Sequence, residues 1–125
     1  MDKPIFQNLN VLEEQTDHEL KELTLTCSFS HDDSVFQGHF PDQPILAGAY
    51  QLSLATHYFH KLLGIDLAIR KIKKARFKGL ILPNESFTLK LKVLSELPDQ
   101  MYKVSVKVIK EEITITNITL ILRKK

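Results

Sequence analysis

Residues 36–64, FQGHFPDQPILAGAYQLSLATHYFHKLLG, decide how this chain is organised. The first part of this stretch and the residues before it, from His31 to Pro44, are rich in aspartate, proline and glycine, which predicts an irregular loop. After Gly48 no glycine or proline occurs until Gly64, which predicts a helix over 47–63 that ends at a left-handed glycine. Apolar side chains lie on nearly every side of this helix, a pattern typical of an interior helix.

The segments on either side of the helix alternate apolar and polar residues, which is typical of half-buried strands. One such run precedes the helix over 23–29, and about four antiparallel strands are predicted after it, with breaks at 79–85 and 97–100. Near Asn117 the alternation changes parity, which predicts a bulge or burial of both strand faces. The order predicts an α+β fold in which a long antiparallel sheet wraps around one central helix.

The chain has 125 residues and a mass of 14.4 kDa, which predicts a single domain over 1–125. Its one cysteine, Cys27, excludes an internal disulfide and a cysteine-based metal cluster. We expect a cytoplasmic protein, because neither a signal peptide pattern nor an apolar run of membrane-spanning length is present.

Charge is unevenly distributed along the chain. Residues 1–35 hold eight acidic and two basic side chains, whereas residues 67–125 hold fourteen basic and five acidic ones. Such a split is compatible with a solvated sheet edge, a nucleic-acid surface, or a site for an acidic protein or ligand. The most basic segment, IRKIKKARFK over 69–78, has no aromatic interleaving beyond Phe77 and no nucleic-acid motif, so no nucleic-acid partner is predicted.

His39 and Gly48 form the most informative pair for chemistry. His39 lies in the loop between Gly38 and Pro41, and Gly48 lies in the first turn of the predicted helix. A helix N-terminus offers unpaired N–H groups and a positive dipole to a carbonyl oxygen that gains charge. Glycine lets a ligand approach that backbone closely, and a nearby histidine could remove a proton next to the carbonyl. Taken separately, a histidine such as His39 is more often a surface side chain, and a glycine such as Gly48 is more often a packing residue.

The segment GHFPDQPILAG, residues 38–48, resembles the GHFPxxPxxPG signature of the hot-dog-fold 3-hydroxyacyl-acyl-carrier-protein dehydratases. Ala47 replaces the last proline of that signature, a mild change because proline there only sets the turn in advance. Residues 74–89 also resemble the third strand and following loop of the family, with Phe77 expected to point inward and Pro83 in the turn. The short, stand-alone dehydratases of fatty-acid or aryl-polyene type are the most similar branch.

The resemblance implies roles for several residues. His39 would abstract the proton alpha to the thioester, and the N–H of Gly48 would polarise the thioester carbonyl. The substrate would be bound by Phe40, Pro41, Ala49 and Phe77.

The family's acid, which the partner subunit contributes from its helix, falls at Ser53 in this chain, and the polar residue four positions later is His57. A serine hydroxyl hardly ionises, so a general acid worth ~10²–10⁴-fold in rate is missing. Ser53 and His57 share a helix face, either as a catalytic pair in which His57 supplies the proton or as a buried pair that satisfies its own hydrogen bonds. Asp42 is a further candidate acid.

The resemblance therefore implies dehydration of a 3-hydroxyacyl thioester to the trans-2-enoyl form, without a metal or redox cofactor. The substrate would be carried on the phosphopantetheine of an acyl carrier protein or on coenzyme A. The alternatives are a weakly active or inactive acyl-thioester binding or accessory subunit, and a thioesterase of the same fold.

Because the family site lies between subunits, we expect a homodimer or a larger homo-oligomer, joined through exposed strand edges. The basic side chains of Lys73, Lys74, Arg76 and Lys78 are predicted to recruit an acidic carrier protein, with a simply solvated strand as the alternative. His31, Asp32 and Asp33 are interpreted as a turn, and no role is predicted for His18 or His60.

Overall fold

Alternating apolar residues in neighbouring strands build one face of a single sheet. The computed structural model describes residues 9–30 and 48–125. Its elements are β1 (Leu9–Asp17), β2 (Glu22–Phe29), α1 (Gly48–Leu63), β3 (Leu67–Phe77), β4 (Phe87–Leu97), β5 (Met101–Lys110) and β6 (Ile113–Lys124). The strands pair antiparallel in the order β1-β2-β4-β5-β6-β3. The predicted α+β arrangement of a long antiparallel sheet around a helix is confirmed.

The core lies between the sheet and α1. Strands β2, β4, β5 and β6 present buried Leu, Val, Ile and Phe side chains on one face, and α1 packs onto that face through Leu54, Ala55, Tyr58, Phe59 and Leu62. The helix ends as predicted at Gly64, whose φ of 69° lies in the left-handed region and whose N–H donates to the carbonyl of His60 at 2.8 Å.

The parity change in β6 is a β-bulge. Val108 pairs with Thr116 and Ile109 pairs with Thr114, so Ile115 is an extra residue in β6. The bulge lies two residues before Asn117, and at this point two consecutive residues, Ile115 and Thr116, are both buried, at 6% and 1% exposure.

Several hydrogen bonds fix the loop after β3. Pro83 and Asn84 form a turn, with Asn84 at a φ of 66°, and the N–H of Asn84 donates to the carbonyl of Phe29. Lys110 donates from Nζ to the carbonyl of Leu80 at 2.6 Å and to Oε1 of Glu85 at 3.1 Å. The predicted loop over 79–85 is confirmed.

The interpretation of α1 as apolar on nearly every side is wrong for one side of the helix. Ala49, Ser53, His57 and His60 form an exposed stripe at a spacing of three or four residues. The stripe is exposed because it faces past β3, the last strand of the sheet, where residues 9–30 and 48–125 supply no further element. Within residues 9–30 and 48–125, no helix is long and apolar enough to cross a membrane.

Candidate functional site

Gly48 begins α1 in close contact with Phe77 at the end of β3. A Cβ built on Gly48 would lie 2.9 Å from Cζ of Phe77, so the ring leaves no room for a side chain at this position. The first N–H groups of a helix have no intrahelical acceptor, so the backbone here can donate to a ligand. The predicted site residues His39, Phe40 and Pro41 fall outside the described residues, as does Asp42.

Phe77 only partly matches the prediction that it points inward. It pairs with Thr116 of β6, a buried residue, so its ring lies on the face of the sheet that carries α1. The side chain is nevertheless 46% exposed, because β3 is an edge strand and nothing in the described chain lies beyond it. Ala49, one residue into the helix, is also exposed.

Ser53 and His57 lie in an open groove between the exposed stripe of α1 and the start of β3. We call this the helix groove; it is lined by residues that include Ser53, Thr56, His57, His60, Asp66 and Ile69. The alternative of a buried Ser53–His57 pair is wrong, since both residues are exposed. Their side chains are therefore accessible to a substrate or to a second subunit.

The charge of His57 is set by its surroundings. Partial burial lowers the pKa of His57 below its ordinary value of 6.5, and the nearby positive charges of His60 and Lys61 lower the pKa further. The imidazole also meets the Tyr58 ring edge-on, with the ring centres 5.2 Å apart. His57 is consequently neutral at pH 7 and is a poor proton donor there.

Asp66 is the carboxylate that lines the helix groove among the described residues, but it lies at the far end. Its Oδ1 is 3.4 Å from Nδ1 of His60 and 3.9 Å from Nζ of Lys125. His60, for which no role was predicted, therefore lies within ion-pair distance of this carboxylate. Seven residues separate His60 from Ser53, about 10 Å along the helix axis. Asp66 does not replace the acid expected at Ser53.

A buried polar pair next to Gly48 was not predicted from the sequence. Thr116 donates its hydroxyl to Oε1 of Gln51 at 2.8 Å, and the two residues are 1% and 4% exposed. Gln51 lies one turn after Gly48, so the bond joins the start of α1 to β6. The available signal was a glutamine among the apolar residues of the helix.

Cys27 can be excluded as a nucleophile. Its thiol is buried in the core, and burial raises its pKa to about 12. The thiolate is therefore absent at neutral pH.

The predicted docking residues are divided between two depressions on the outer face of the sheet, away from α1. Lys74, Arg76 and Lys78 line one of them with Lys107, which was not predicted; we call these four the outer basic patch. Lys73 lines the other, with Arg70 and Lys71. None of these seven side chains forms an ion pair with another residue of the described chain.

The chain matches a dehydratase family in sequence and resembles solved structures in fold. The model of the ApeI-like family, described as ApeI dehydratase, matches residues 13–116. Over 90 residues the chain is 37% identical to the 3-hydroxyacyl-[acyl-carrier-protein] dehydratase FabZ of Histophilus somni strain 2336. The protein of strain 129Pt matches equally. These matches cover 65% of this chain and 60% of each relative, so the chain spans less than two thirds of the curated relatives.

Solved structures are similar over nearly the whole chain. The dehydratase heterocomplex ApeI:P from Xenorhabdus doucetiae aligns with a TM-score of 0.75 at 20% identity, covering 91% of this chain and 96% of that one. The TT0310 protein from Thermus thermophilus aligns with a TM-score of 0.68 at 13% identity, and both chains are covered completely. The protein has the hot-dog fold and belongs to the ApeI dehydratase family.

Proposed function

We propose that this chain acts on a 3-hydroxyacyl thioester and eliminates water to give the trans-2-enoyl thioester. The observation that carries the proposal is the start of α1, where the signature-like segment ends at Gly48 and the Phe77 ring lies against it. Membership of a dehydratase family supports the same reaction. The thioester would be carried on phosphopantetheine, either of an acyl carrier protein or of coenzyme A.

In this mechanism His39 takes the proton alpha to the thioester carbonyl. The N–H of Gly48 donates a hydrogen bond to the carbonyl oxygen while the electron pair of the broken C–H bond is delocalised onto it. That pair then forms the C=C bond as the C–O bond at the beta carbon breaks, and the hydroxyl leaves as water after gaining a proton. The elimination is redox-neutral, so we propose no redox cofactor, and none of the proposed steps calls for a metal.

The described residues offer no strong proton donor for the leaving hydroxyl. Ser53 occupies the position where the family has a carboxylic acid, His57 is neutral at pH 7, and Asp66 lies at the far end of the helix groove. We therefore expect slow turnover by this chain alone.

A second candidate function follows from the same observation. A chain with a base and an oxyanion donor but no acid could bind an acyl thioester as an accessory subunit and depend on a competent partner. The similar ApeI:P structure is a heterocomplex, which supports this possibility.

A panel of thioesters distinguishes these functions. Hydration of a crotonyl thioester, the reverse reaction, is expected at a low rate that His39→Ala abolishes, while His18→Ala, a histidine on the exposed turn after β1, leaves the rate unchanged. Binding without turnover would indicate the accessory function. Release of free thiol without hydration would contradict the proposal and indicate a thioesterase.

We also propose that the outer basic patch recruits an acidic carrier protein. Opposite charges accelerate association most strongly at low ionic strength. The change of Lys74, Arg76 and Lys78 to Glu should slow association with a holo carrier protein in low salt and have little effect in high salt. A control variant with the same change in charge, in which Lys90, Lys92 and Lys103 on β4 and β5 are changed to Glu, should have a much smaller effect. Association that is indifferent to both salt and charge reversal would assign these side chains to solubility alone.

A further inference from the structure

Lys110, the last residue of β5, binds the loop over 79–85 at two points. Its Nζ donates to the carbonyl of Leu80 at 2.6 Å and to Oε1 of Glu85 at 3.1 Å. The same carboxylate oxygen accepts the N–H of Leu82 at 2.9 Å, and the N–H of Glu85 donates to the carbonyl of Leu82 at 3.2 Å. One ammonium group therefore joins the first half of the loop to the turn in its second half.

The ion pair between Lys110 and Glu85 is partly sheltered from solvent. Its side chains are 20% and 32% exposed, whereas those of the Lys21–Glu96 pair, at the turn between β1 and β2, are 39% and 62% exposed. Exposed ion pairs contribute little to stability, and partly buried pairs are screened less by salt. Without its ammonium group the loop would have a carbonyl and a carboxylate short of a donor, so we expect its backbone to rearrange.

The loop begins directly after Phe77, whose ring lies against the start of α1. Phe77 is the last residue of an edge strand and is 46% exposed, so the described chain packs against only part of its ring. The N–H of Lys78 donates to a backbone carbonyl of β6 at 2.6 Å, and two residues further on Lys110 binds the carbonyl of Leu80. The direction in which the backbone leaves Phe77 therefore depends on Lys110.

The second half of the loop is bonded to the strand that leads into the signature-like segment. The N–H of Asn84 donates to the carbonyl of Phe29, the last residue of β2, at 2.7 Å. Asn84 has a φ of 66°, a left-handed conformation that asparagine adopts more readily than most residues. The loop is therefore bonded to the strand before residues 38–48 and continuous with the ring beside Gly48.

We propose that Lys110 is a positioning residue for the proposed reaction. By fixing the loop after β3, Lys110 keeps the Phe77 ring against Gly48, and this contact fixes the direction of the Gly48 N–H. The proposal rests on the proposed function, in which that N–H donates to the thioester carbonyl. A hydrogen bond weakens steeply as its angle departs from linear, so a small displacement of this donor slows the reaction. Lys110 itself contacts no reacting group, and its effect passes through Phe77.

The position of the ring can be measured without substrate. An aromatic ring shifts the NMR signal of a nearby amide, so the Gly48 signal reports the contact with Phe77. Lys110→Met keeps the length of the side chain but removes the ammonium group, and its Gly48 signal should move toward the position found in Phe77→Ala. Lys110→Arg retains the charge and N–H donors, and Lys21→Met removes the more exposed ion pair. Both should keep the wild-type signal.

The rate is measured by hydration of a crotonyl thioester. Because the Gly48 N–H stabilises charge that develops in the transition state, kcat should fall about tenfold in Lys110→Met while KM changes by less than about twofold. Lys110→Arg should retain most of the rate, and Lys21→Met should match the wild type. A purely structural role would lower stability to denaturant but leave the kcat of the folded enzyme unchanged.

If Lys110→Met does not fold, Glu85→Gln removes the charge at the other end of the pair and should give a smaller effect in the same direction. The proposal is overturned if the Gly48 signal of Lys110→Met stays at the wild-type position, or if the signal moves while kcat is unchanged. Absence of hydration in the wild type would instead overturn the proposed reaction, and the Gly48 signal would still decide whether Lys110 positions the ring.

Discussion

The hydrogen bond between Thr116 and Gln51 fixes the start of the helix on the sheet. Both residues are buried, and the bond ties α1 to β6 one turn after Gly48. Thr116→Val keeps the side-chain shape but removes the donor, so the free energy of unfolding should fall by ~1–3 kcal/mol. Denaturant titration measures this fall. Thr114→Val, at an exposed position of the same strand, should change stability by less than ~0.5 kcal/mol, and equal effects of the two changes would contradict the assignment.

His57 should make stability depend on pH. Its pKa is lowered in the folded chain, chiefly by burial and then by His60 and Lys61, so the unfolded chain binds the proton more readily. The free energy of unfolding should therefore decrease as the pH falls through 6.5 toward the lowered pKa of the folded state. Unfolding measured from pH 8 to pH 5 should show a smaller decrease for His57→Gln than for the wild type or for the control His18→Gln. Identical profiles for all three proteins would show that folding does not lower the pKa of His57.

At the scale of elements, the contact between α1 and β3 places the candidate oxyanion donor. The Cβ of Gly48→Ala would lie 2.9 Å from the Phe77 ring, so the variant should lose ~1–3 kcal/mol of stability through overpacking. In a Phe77→Ala background the same change should cost much less, and a double-mutant cycle measures the coupling. Gly64→Ala is the matched control, because its cost arises from a φ of 69° and no side chain lies within 4 Å of the new Cβ. Its cost should be the same in both backgrounds; equal costs for Gly48→Ala would refute the contact.

Most elements could be predicted from local pattern, because alternation and helix breaks are encoded over a few residues. The helix end at Gly64 and the change of parity near Asn117 follow from such signals. The exposure of Ser53 and His57 could not be predicted in this way, because it depends on β3 being the last strand, and strand order is a property of long-range pairing. The separation of Lys73 from Lys74 likewise results from a bulge in β3, which the sequence pattern does not indicate.

At the scale of the whole molecule, the exposed stripe of α1 and the exposed ring of Phe77 lie at the same edge of the sheet, beside β3. This is the side where the composite site of the proposed function would form, with His39 from one subunit and the acid position from the other. Because Ser53 supplies no acid, the proposed activity then depends on which subunit occupies this side.

Subunit complementation tests this account most directly. A double variant, His39→Ala with Ser53→Glu, supplies an acid but no base, whereas the wild type supplies a base but no acid. The two are mixed, unfolded and refolded together so that subunits can exchange, and hydration of a crotonyl thioester is measured. The mixture should exceed the wild type alone by up to ~10²-fold, with the double variant alone inactive. A mixture no more active than the wild type, while a Ser53→Glu chain shows the full gain by itself, would contradict a site shared between subunits.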